Sequence, residues 1–486
     1  MPDVILVRPR TTYGSIYLPW NLLYLAAPLV RDGYSVSIID QNVEPNWQER
    51  LKSELKTKTV CVGTGAFTGK MIEGALHASE IARNAGVPVV WGGVHASLLP
   101  KQTIEHPFVD YVVIGEGEAT FEELVDYLSG RKKSSLVEIK GIAWKENGKI
   151  HINEPRGFLK LDELAPTPWE LITPHMYLHD RGPRARRFMD FCSSRGCPFS
   201  CGFCYNVGFH KRRWRGMSAE VFFERVKEMV ERFQLNGFIF MDDYFFSNMD
   251  RIVKFSELLI KHNIKIVWDV QCRLDAFDRL PDETISLFLR AGLWRFQFGV
   301  ESGNPEIIKM IDKKITLDMA FRAAERIKKF QVAGGFYFML GFPGETPEQM
   351  LDTYKVMEKL KENNPYVILM GPYLYSPYPG TPLFDKAVEA GFKPPSSLEE
   401  WADSEGWAEM FSSHLPSSTR YFMNISKKYF RAGFLYPQLT PLYKARMALF
   451  DKVPRGSFIE WQIIKIAESA MRGVVTRINI RRWAGR

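Results

Sequence analysis

Three cysteines stand within one eight-residue segment, Cys197–Cys204, at the spacing C-x3-C-x2-C. The proline and glycine inside the segment favour a loop over a helix or a strand. Thiolates are the usual ligands of 4Fe–4S clusters, and four of them are needed to close one. A three-thiolate site therefore leaves one iron open for substrate chemistry. The spacing predicts such a site, with Cys197, Cys201 and Cys204 as ligands; the alternative is three buried cysteines that are close by chance.

The composition is that of a globular protein with more than one domain. The chain has 486 residues, 45% hydrophobic and 25% charged, so two or three domains are expected. Half of its six cysteines lie in the segment above, which favours a metal site over a disulfide framework and predicts a reducing cytoplasmic location. The first residues show no basic signal region, and no window of about twenty apolar residues predicts a membrane span.

The net charge of +8 is concentrated near the C-terminus. Residues 436–486 carry ten Lys and Arg against three acidic residues, on a body that is otherwise near neutral. This basic, aromatic-bearing segment predicts contact with anionic lipid at a membrane surface or with acidic partners, and a solvated helix face is the alternative. No recognised nucleic-acid-binding module accompanies it, so no nucleic acid partner is expected.

The first third of the chain predicts a doubly wound α/β domain. Strands are predicted at 4–7, 36–39, 59–63, 87–91 and 111–114, with helices between them. Ligands of such sheets bind outside the carboxyl ends of the strands, where glycines allow close approach to the backbone. The predicted cofactor-binding residues there are Thr64, Gly65, Gly92, Gly93, His95, Gly115, Glu116 and Gly117. The alternative is that these are only tight turns, with His95 forming local hydrogen bonds.

The middle of the chain predicts an open (β/α)6 barrel. A hairpin at 142–152 and a proline-rich linker at 161–169 lead into strands predicted at 188–191, 237–241, 265–270, 295–300, 336–340 and 367–374. Chemistry in β/α barrels sits at the carboxyl ends of the strands, and the cysteine segment follows the first of them.

The cysteine segment, with Phe203 before its last cysteine, resembles the signature of the radical S-adenosylmethionine (radical SAM) family. The order of Asp40, Gly92-Gly93-Val94-His95, Pro100 and Gly115-Glu116-Gly117-Glu118 resembles the cobalamin-binding domain of the cobalamin-dependent group in that family. This group includes radical SAM methyltransferases and the anaerobic magnesium-protoporphyrin monomethyl ester cyclase. The resemblance covers roughly residues 1–385.

The resemblance implies SAM-contacting residues at successive strand ends of the barrel. Asp242 and Asp243 stand where the family contacts the methionine amino group, and Arg273 suits the methionine carboxylate. The remaining implied SAM contacts are Phe203, Glu301, Ser302, Gly344 and Glu345. Each polar residue taken singly has a simpler interpretation, because several of them precede helices and suit N-cap positions.

One departure concerns the cobalamin domain. The methionine-synthase type carries D-x-H-x-x-G, whose histidine ligates cobalt, and none of the nine histidines here stands in that pattern. We therefore expect cobalamin to bind without a histidine ligand from that motif. The alternative is a degenerate domain without a cofactor.

The expected architecture has four parts: a cobalamin-binding-like α/β domain (1–130), a hairpin and linker (131–185), a partial (β/α)6 radical SAM barrel (186–385), and a mostly helical, basic C-terminal region (386–486). The implied activity is methylation of an unactivated carbon of a small-molecule or lipid-like substrate, using a 4Fe–4S cluster, S-adenosyl-L-methionine and cobalamin. The alternatives are a cobalamin-dependent cyclase or rearrangement enzyme, and a non-catalytic cobalamin-binding protein. A flavodoxin or ferredoxin is the implied electron donor.

Overall fold

The computed structural model describes residues 2–11, 16–55, 58–133, 135–180, 184–402, 412–417, 419–420 and 423. The predictions made for the basic segment 436–486, and for most of the C-terminal region beyond residue 402, lie outside the described residues. Among the helices of the described part of the chain, none combines the length and apolar character needed to cross a membrane.

The first sheet has seven strands, of which the first five are parallel and the last two form an antiparallel hairpin at its edge. Its spatial order is β2-β1-β3-β4-β5-β6-β7. The strands are β1 (Val4–Arg8), β2 (Val36–Asp40), β3 (Cys61–Gly65), β4 (Val89–Gly92), β5 (Tyr111–Val113), β6 (Ile142–Glu146) and β7 (Lys149–Ile152).

Helices cover both faces of this sheet, as the doubly wound prediction requires. Val4 and Leu6 of β1 belong to one apolar cluster, whereas Ile5 and Val7 belong to another, so alternate side chains of one strand enter two cores. The helices are α1 (Trp20–Arg31), α2 (Trp47–Glu54), α3 (Met71–Asn84), α4 (Gly93–Leu98), α5 (Pro100–Glu105) and α6 (Glu118–Leu128). Helix α1 packs against α6, and α2 against α3.

The second large sheet is wholly parallel, and its six strands lie in chain order. The strands are β8 (Phe188–Phe191), β11 (Gly237–Phe240), β12 (Val267–Cys272), β13 (Leu293–Glu301), β14 (Ala333–Leu340) and β15 (Val367–Leu374). Between β8 and β11 lies a two-stranded antiparallel ribbon of β9 (Ser194–Arg195) and β10 (Arg215–Gly216). Within the part described, β8 and β15 are edge strands, so the barrel is open.

Helices separate the strands of the second sheet and continue after it. They are α7 (Asn206–Phe209), α8 (Ala219–Phe233), α9 (Met249–Lys261), α10 (Leu274–Asp278), α11 (Asp282–Arg290), α12 (Pro305–Met310), α13 (Leu317–Lys329), α14 (Pro347–Lys361), α15 (Pro382–Glu389) and α16 (Leu398–Ala402). The last of these returns to the first domain, where Trp401 donates to Gln102 Oε1 over 2.9 Å.

Several predicted strand boundaries are wrong by one to three residues, and two of these errors move predicted site residues. Thr64 and Gly65 were expected after the third strand but are its last residues, since the ladder with β4 continues to Gly92. Strand β13 likewise continues through Glu301, which pairs with Phe338 of β14. A strand continues as long as it pairs with its neighbouring strand, and a local sequence pattern does not identify that neighbour.

Two further elements differ from the sequence predictions. Gly93 and His95 lie in the short helix α4 rather than in a turn, and Gly93 begins it with a φ of +82°. The hairpin around Asn147 and Gly148 is confirmed, with positive φ at both residues. Its strands extend the first sheet through pairing of β6 with β5.

Candidate functional site

The cysteine segment leaves β9 and forms an irregular loop up to α7, at the carboxyl end of the barrel. Two of its thiols have polar side chains beside them. Arg273 Nη1 lies 3.6 Å from Cys201 Sγ, and Asn206 Nδ2 lies 3.5 Å from Cys204 Sγ. The loop therefore brings the predicted ligands Cys197, Cys201 and Cys204 together with donors that favour the charged thiolate.

Burial raises the pKa of Cys197 to about 12 and that of Cys204 to about 11. At neutral pH both groups would therefore be protonated unless a strong positive charge stood beside them. A coordinated metal provides that charge and deprotonates a thiol outright. The chemistry of this pocket thus suits metal ligation better than a free thiolate nucleophile.

Asp243 holds the shape of the loop. Its carboxylate accepts from the Gly196 amide at 2.9 Å, the Tyr205 hydroxyl at 2.7 Å and Asn206 Nδ2 at 2.9 Å. The residues on either side of the three cysteines are thereby attached to the end of β11. The predicted contact of Asp243 with SAM stays a prediction, and the structure adds a positioning function for this carboxylate.

Asp242 faces away from the cysteines and into the protein. It accepts from the Ser193 hydroxyl at 2.7 Å and amide at 3.2 Å, and also from the Ser194 hydroxyl. Burial raises the pKa of Asp242, although these hydrogen bonds oppose the effect. These three hydrogen bonds to Ser193 and Ser194 join the end of β11 to the residues just before the cysteine segment.

Arg273 follows β12 and is buried. Its guanidinium stacks on the Phe199 ring with 3.5 Å between Cζ and the ring centroid. Nε donates to Asp275 at 2.8 Å and Nη2 donates to the Lys313 carbonyl at 2.7 Å. Nε and Nη2 are therefore already bonded. Nη1, which lies beside Cys201, is the group that would reach the predicted methionine carboxylate.

Glu301 ends β13 with a φ of +72°, an uncommon conformation for a residue with a side chain. Its carboxylate pairs with Lys313 Nζ at 2.6 Å, and both groups are nearly buried. Lys313 Nζ also lies 5.7 Å from the Phe203 ring centroid. Desolvation alone would lower the pKa of Lys313, but Glu301 and Cys201 outweigh it and the pKa is raised. Sequence reasoning missed this lysine, which lies in a loop without a motif.

The last predicted SAM contacts fall into two structural classes. Ser302 and Glu345 are buried and already bonded: Ser302 accepts from the Asn304 amide at 3.1 Å, and Glu345 accepts from the Gly341 amide at 2.6 Å. Gly344 differs from both, since its φ is +78° and, beyond its chain neighbours, no atom of the described residues lies within 4 Å of where a Cβ would stand. Backbone at Gly344 is therefore free to approach a ligand.

The glycines at the ends of the first sheet serve different purposes. A Cβ on Gly65 would stand 2.8 Å from the Gly92 carbonyl oxygen, and one on Gly93 would stand 3.2 Å from the Ala66 backbone. These two glycines let neighbouring chains pack closely. A Cβ on Gly92 would stand 3.7 Å from the Val113 carbonyl oxygen, which is an ordinary contact distance. A Cβ on Gly115 would have no described atom within 4 Å beyond its chain neighbours, so the space beside Gly115 is open to a ligand.

Thr64 and Gly117, two further predicted cobalamin contacts, face other parts of the protein. Thr64 donates its hydroxyl to the Val7 carbonyl at 3.1 Å. A Cβ on Gly117 would stand 2.9 Å from the Leu25 side chain, so this glycine allows α1 to pack closely against the end of the sheet. For both residues the contact with cobalamin stays a prediction.

His95 is completely buried in α4. Its Nδ1 lies 3.0 Å from the Thr68 hydroxyl, its ring meets Trp401 edge-on, and Nε2 has no partner among the described residues. Burial lowers the pKa of His95 to about 4, so the ring is neutral. The structure thus shows the local hydrogen bond, and the predicted cobalamin contact stays a prediction.

Glu116 joins the two domains. Its carboxylate pairs with Arg195 Nη1 at 3.2 Å and with Arg215 Nη1 at 2.7 Å, both on the ribbon beside the cysteine loop. Glu118 completes the group by pairing with Arg195 at 2.6 Å. Arg195 stands two residues before Cys197, which is the signal that could have suggested its importance.

Among the residues that the structure describes, no three His, Cys, Asp or Glu side chains are gathered tightly enough to hold a single metal ion. A 4Fe–4S cluster has another requirement, because each cysteine binds a different iron and the thiols surround the cluster. The thiols of a cluster site are therefore farther apart than the ligands of one ion.

Comparisons with known proteins bear on both halves of this site. The model of the radical SAM superfamily matches residues 191–357, and the model of the B12 binding domain matches residues 9–125. An uncharacterized methyltransferase of Pyrococcus horikoshii is 33% identical over 396 residues, covering 79% of this chain and 83% of the relative.

Two further matches are more distant. The anaerobic magnesium-protoporphyrin IX monomethyl ester cyclase of Rubrivivax gelatinosus is 26% identical over 79% of this chain and 69% of its own. The solved structure of the radical SAM methyltransferase TsrM from Kitasatospora setae, with cobalamin and a 4Fe–4S cluster bound, matches with a TM-score of 0.66 at 16% identity. It covers 84% of this chain and 83% of that one, and shows the same fold.

The residues present fit the cofactors of these families, which are a 4Fe–4S cluster, SAM and cobalamin. The cysteine loop offers three thiols with a guanidinium and an amide beside them. Open space beside Gly344 suits SAM, and open space beside Gly115 suits a large flat ligand at the end of the first sheet.

Proposed function

Because the chain belongs to the cobalamin-dependent radical SAM family of enzymes, we propose that it methylates an unactivated carbon of a small molecule. When bound, the cluster and SAM supply hydrogen-atom abstraction, and cobalamin supplies the methyl group. The observation that carries the proposal is the ion group of Glu116, Arg195 and Arg215. It holds the carboxyl ends of the first sheet against the cysteine loop, where both cofactors can meet one substrate.

In this proposal the residues of the chain position and shield the reactants. Cys197, Cys201 and Cys204 hold the cluster, while Asp243 maintains the loop around it. Arg273 and Lys313 supply positive charge beside the loop for the methionine carboxylate of SAM. The cofactors carry the chemistry, and the protein excludes water from it.

The inner face of the barrel supports a polar or aromatic substrate over a purely aliphatic one. Apolar residues on alternate positions of β12 and β13 face the helices, which leaves Asp269 and Gln297 on the inner face. Gln297 donates to Asp269 Oδ1 at 3.1 Å and accepts from the Tyr337 hydroxyl. Tyr337 stacks on Tyr373 with 6.2 Å between centroids. Asp269 and Gln297 are buried and already bonded, so Tyr337 and the 44% exposed Tyr373 form the accessible part of this face. Their rings offer flat contacts, which suit an aromatic substrate.

The experiment starts with protein purified without oxygen from a host supplied with cobalamin. We expect one cobalamin and four irons per chain. With the true substrate, methylated product should form together with both 5′-deoxyadenosine and S-adenosylhomocysteine. Formation of 5′-deoxyadenosine and an unmethylated product would contradict methyl transfer.

Oxidative cyclisation or rearrangement is the second candidate, and the cyclase relative favours it. The two reactions share the cofactors and the first hydrogen abstraction, so the cofactor content does not separate them. The product does: a cyclase releases no S-adenosylhomocysteine. The greater identity to the methyltransferase relative, 33% against 26%, supports methylation.

A further inference from the structure

Asn206 is a buried residue whose amide the site described above leaves half explained. It begins α7 two residues after Cys204, and 4% of its surface is exposed. Nδ2 lies 3.5 Å from Cys204 Sγ and donates to Asp243 Oδ1 at 2.9 Å. Oδ1 has no hydrogen-bond partner among the residues that the structure describes. An unpaired buried acceptor costs stability, so the position of Nδ2 calls for an explanation beyond folding.

Asp243 decides which end of the amide faces the thiol. The two ends of an asparagine amide have nearly the same shape, so hydrogen bonds determine their orientation. With the amide turned over, Oδ1 would face a carboxylate oxygen, and two acceptors repel each other. The Gly196 amide and the Tyr205 hydroxyl hold that carboxylate in place at 2.9 and 2.7 Å. Nδ2 is therefore directed toward Cys204 Sγ.

Two of the loop thiols have a side-chain donor beside them. Cys201 has Arg273 Nη1 beside it, and this group is predicted to bind SAM. Burial raises the pKa of Cys204, and the backbone and side-chain amides of Asn206 both oppose this effect. The side chain of Asn206 thus favours the thiolate at a position where no predicted ligand needs it.

We propose that Asn206 is a positioning residue for the cluster, which raises the reduction potential of the cluster by donating from Nδ2 to Cys204 Sγ. The proposal rests on the proposed function, because it requires a 4Fe–4S cluster on the loop thiols. On reduction the cluster gains one electron from a reductant, and no bond forms or breaks. The added electron makes the coordinated sulfurs more negative, so an N–H donor stabilises the reduced cluster more than the oxidised one. Hydrogen bonds to the sulfurs are among the features that set the potentials of iron–sulfur clusters.

The negative charge of Asp243 gives this donor its importance. Besides burial, which is the larger effect, the Asp243 carboxylate also raises the pKa of Cys204 and so opposes negative charge there. The same charge would make a cluster on this loop harder to reduce, and in a buried site little water is present to screen it. Asn206 Nδ2 donates to both the carboxylate and the thiol, and it thereby offsets part of their repulsion.

The test is a redox titration of the anaerobic holoenzyme without SAM, with dithionite as the reductant. The electron paramagnetic resonance signal of the reduced cluster gives the midpoint potential. Asn206→Leu replaces the amide by an apolar group of similar size. We expect its reduction constant to fall about tenfold, which lowers the midpoint potential by about 59 mV for one electron.

Tyr205→Phe is the matched control. It removes a hydrogen bond to the same Asp243 Oδ1 and leaves Asn206 Nδ2 at the thiol. Its midpoint potential should equal that of wild type. An equal fall in both variants would show that the effect passes through the carboxylate alone, and would overturn the proposal. Equal potentials of Asn206→Leu and wild type would overturn it too.

Iron content should be equal in wild type and both variants. A wild type without a cluster would contradict the proposed function instead. If Asn206→Leu loses iron, the test moves to wild type that contains asparagine with a heavy nitrogen isotope in the side-chain amide. Pulsed electron paramagnetic resonance should then show coupling between the reduced cluster and this nitrogen, and absence of the coupling would overturn the proposal.

Discussion

Glu116 and Arg215 form an ion pair of 2.7 Å between the end of β5 in the first sheet and the ribbon of the second. Arg215 also lies 3.1 Å from His210 Nδ1, and His210 stands 3.8 Å from Asp243, the carboxylate that holds the cysteine loop. A short series of polar side chains thus connects the predicted cobalamin end of the first domain with the surroundings of Cys204. We infer that this series sets the relative position of the two cofactor regions.

Glu116→Gln should destabilise the contact between the domains. The substitution leaves Arg195 and Arg215 largely buried with one charge partner fewer, which costs about 3–5 kcal/mol for a buried pair. Burial alone would raise the pKa of Glu116, but the two arginines outweigh it and hold the pKa below its usual range. The stabilisation is therefore complete above the unfolded carboxyl pKa of about 4 and is lost as the pH falls below it.

Unfolding of wild type and of Glu116→Gln, followed from pH 7 downward, checks this expectation. The difference between their midpoints should be greatest near neutrality and should shrink in acid. Arg31→Gln is a control, since its ion pairs with Asp32 and Glu122 are exposed. A difference that stays constant with pH would argue against the ion group.

Glu345→Gln should stabilise the protein above neutral pH. Burial raises the pKa of Glu345 to about 7, and its Oε1 has no partner in the described structure. Because the folded pKa is raised, ionisation costs stability as the pH rises toward 7, by about 3 kcal/mol in full. Glutamine keeps an acceptor for the Gly341 amide and carries no charge.

Thermal unfolding from pH 5 to 9 measures this difference. The midpoint of Glu345→Gln should exceed that of wild type only slightly at pH 5, where the loss begins, and by the full difference at pH 8. Loss of stability at every pH would show that the carboxylate itself stabilises the fold, and would contradict this prediction.

Replacing any of the three loop cysteines by Ala should remove the cluster. Cys197→Ala, Cys201→Ala and Cys204→Ala should each lose the visible absorption of the cluster and all SAM cleavage, since two thiolates hold it poorly. Cys272→Ala is the matched control, because this cysteine is buried in β12 with its side chain in the apolar core. Iron and sulfide analysis gives the answer, and iron retained in Cys201→Ala would refute the assignment.

Gly92→Ala should fold normally and bind less cobalamin. The Val113 carbonyl oxygen would lie 3.7 Å from the added methyl, an ordinary contact distance, so the fold accommodates it. The methyl would nevertheless extend from the strand end where cobalamin is predicted to bind. Gly65→Ala is the contrasting variant, because its methyl would meet the Gly92 carbonyl at 2.8 Å and disturb the fold. Cobalamin extracted per chain is the measurement. Full cobalamin in Gly92→Ala would place the ligand elsewhere.

The sequence by itself determined the chemistry and the order of the domains. Three cysteines at C-x3-C-x2-C predict iron ligation from local spacing alone, without reference to the fold. The alternation of strands and helices predicted both parallel sheets, because periodicity and glycine positions are local properties. Strands at 188–191 and 367–374 were predicted with the bounds that the structure shows.

Only the tertiary structure decided what the polar residues at the strand ends contact. Asp242 and Asp243 are neighbours in sequence, yet one accepts from serines before the loop and the other from residues on both of its sides. Only the folded structure shows that Lys313 pairs with Glu301. It also shows that Arg195 and Arg215 pair with Glu116. These pairs join residues 12 to 99 positions apart, and such long-range contacts leave no periodic trace in the sequence.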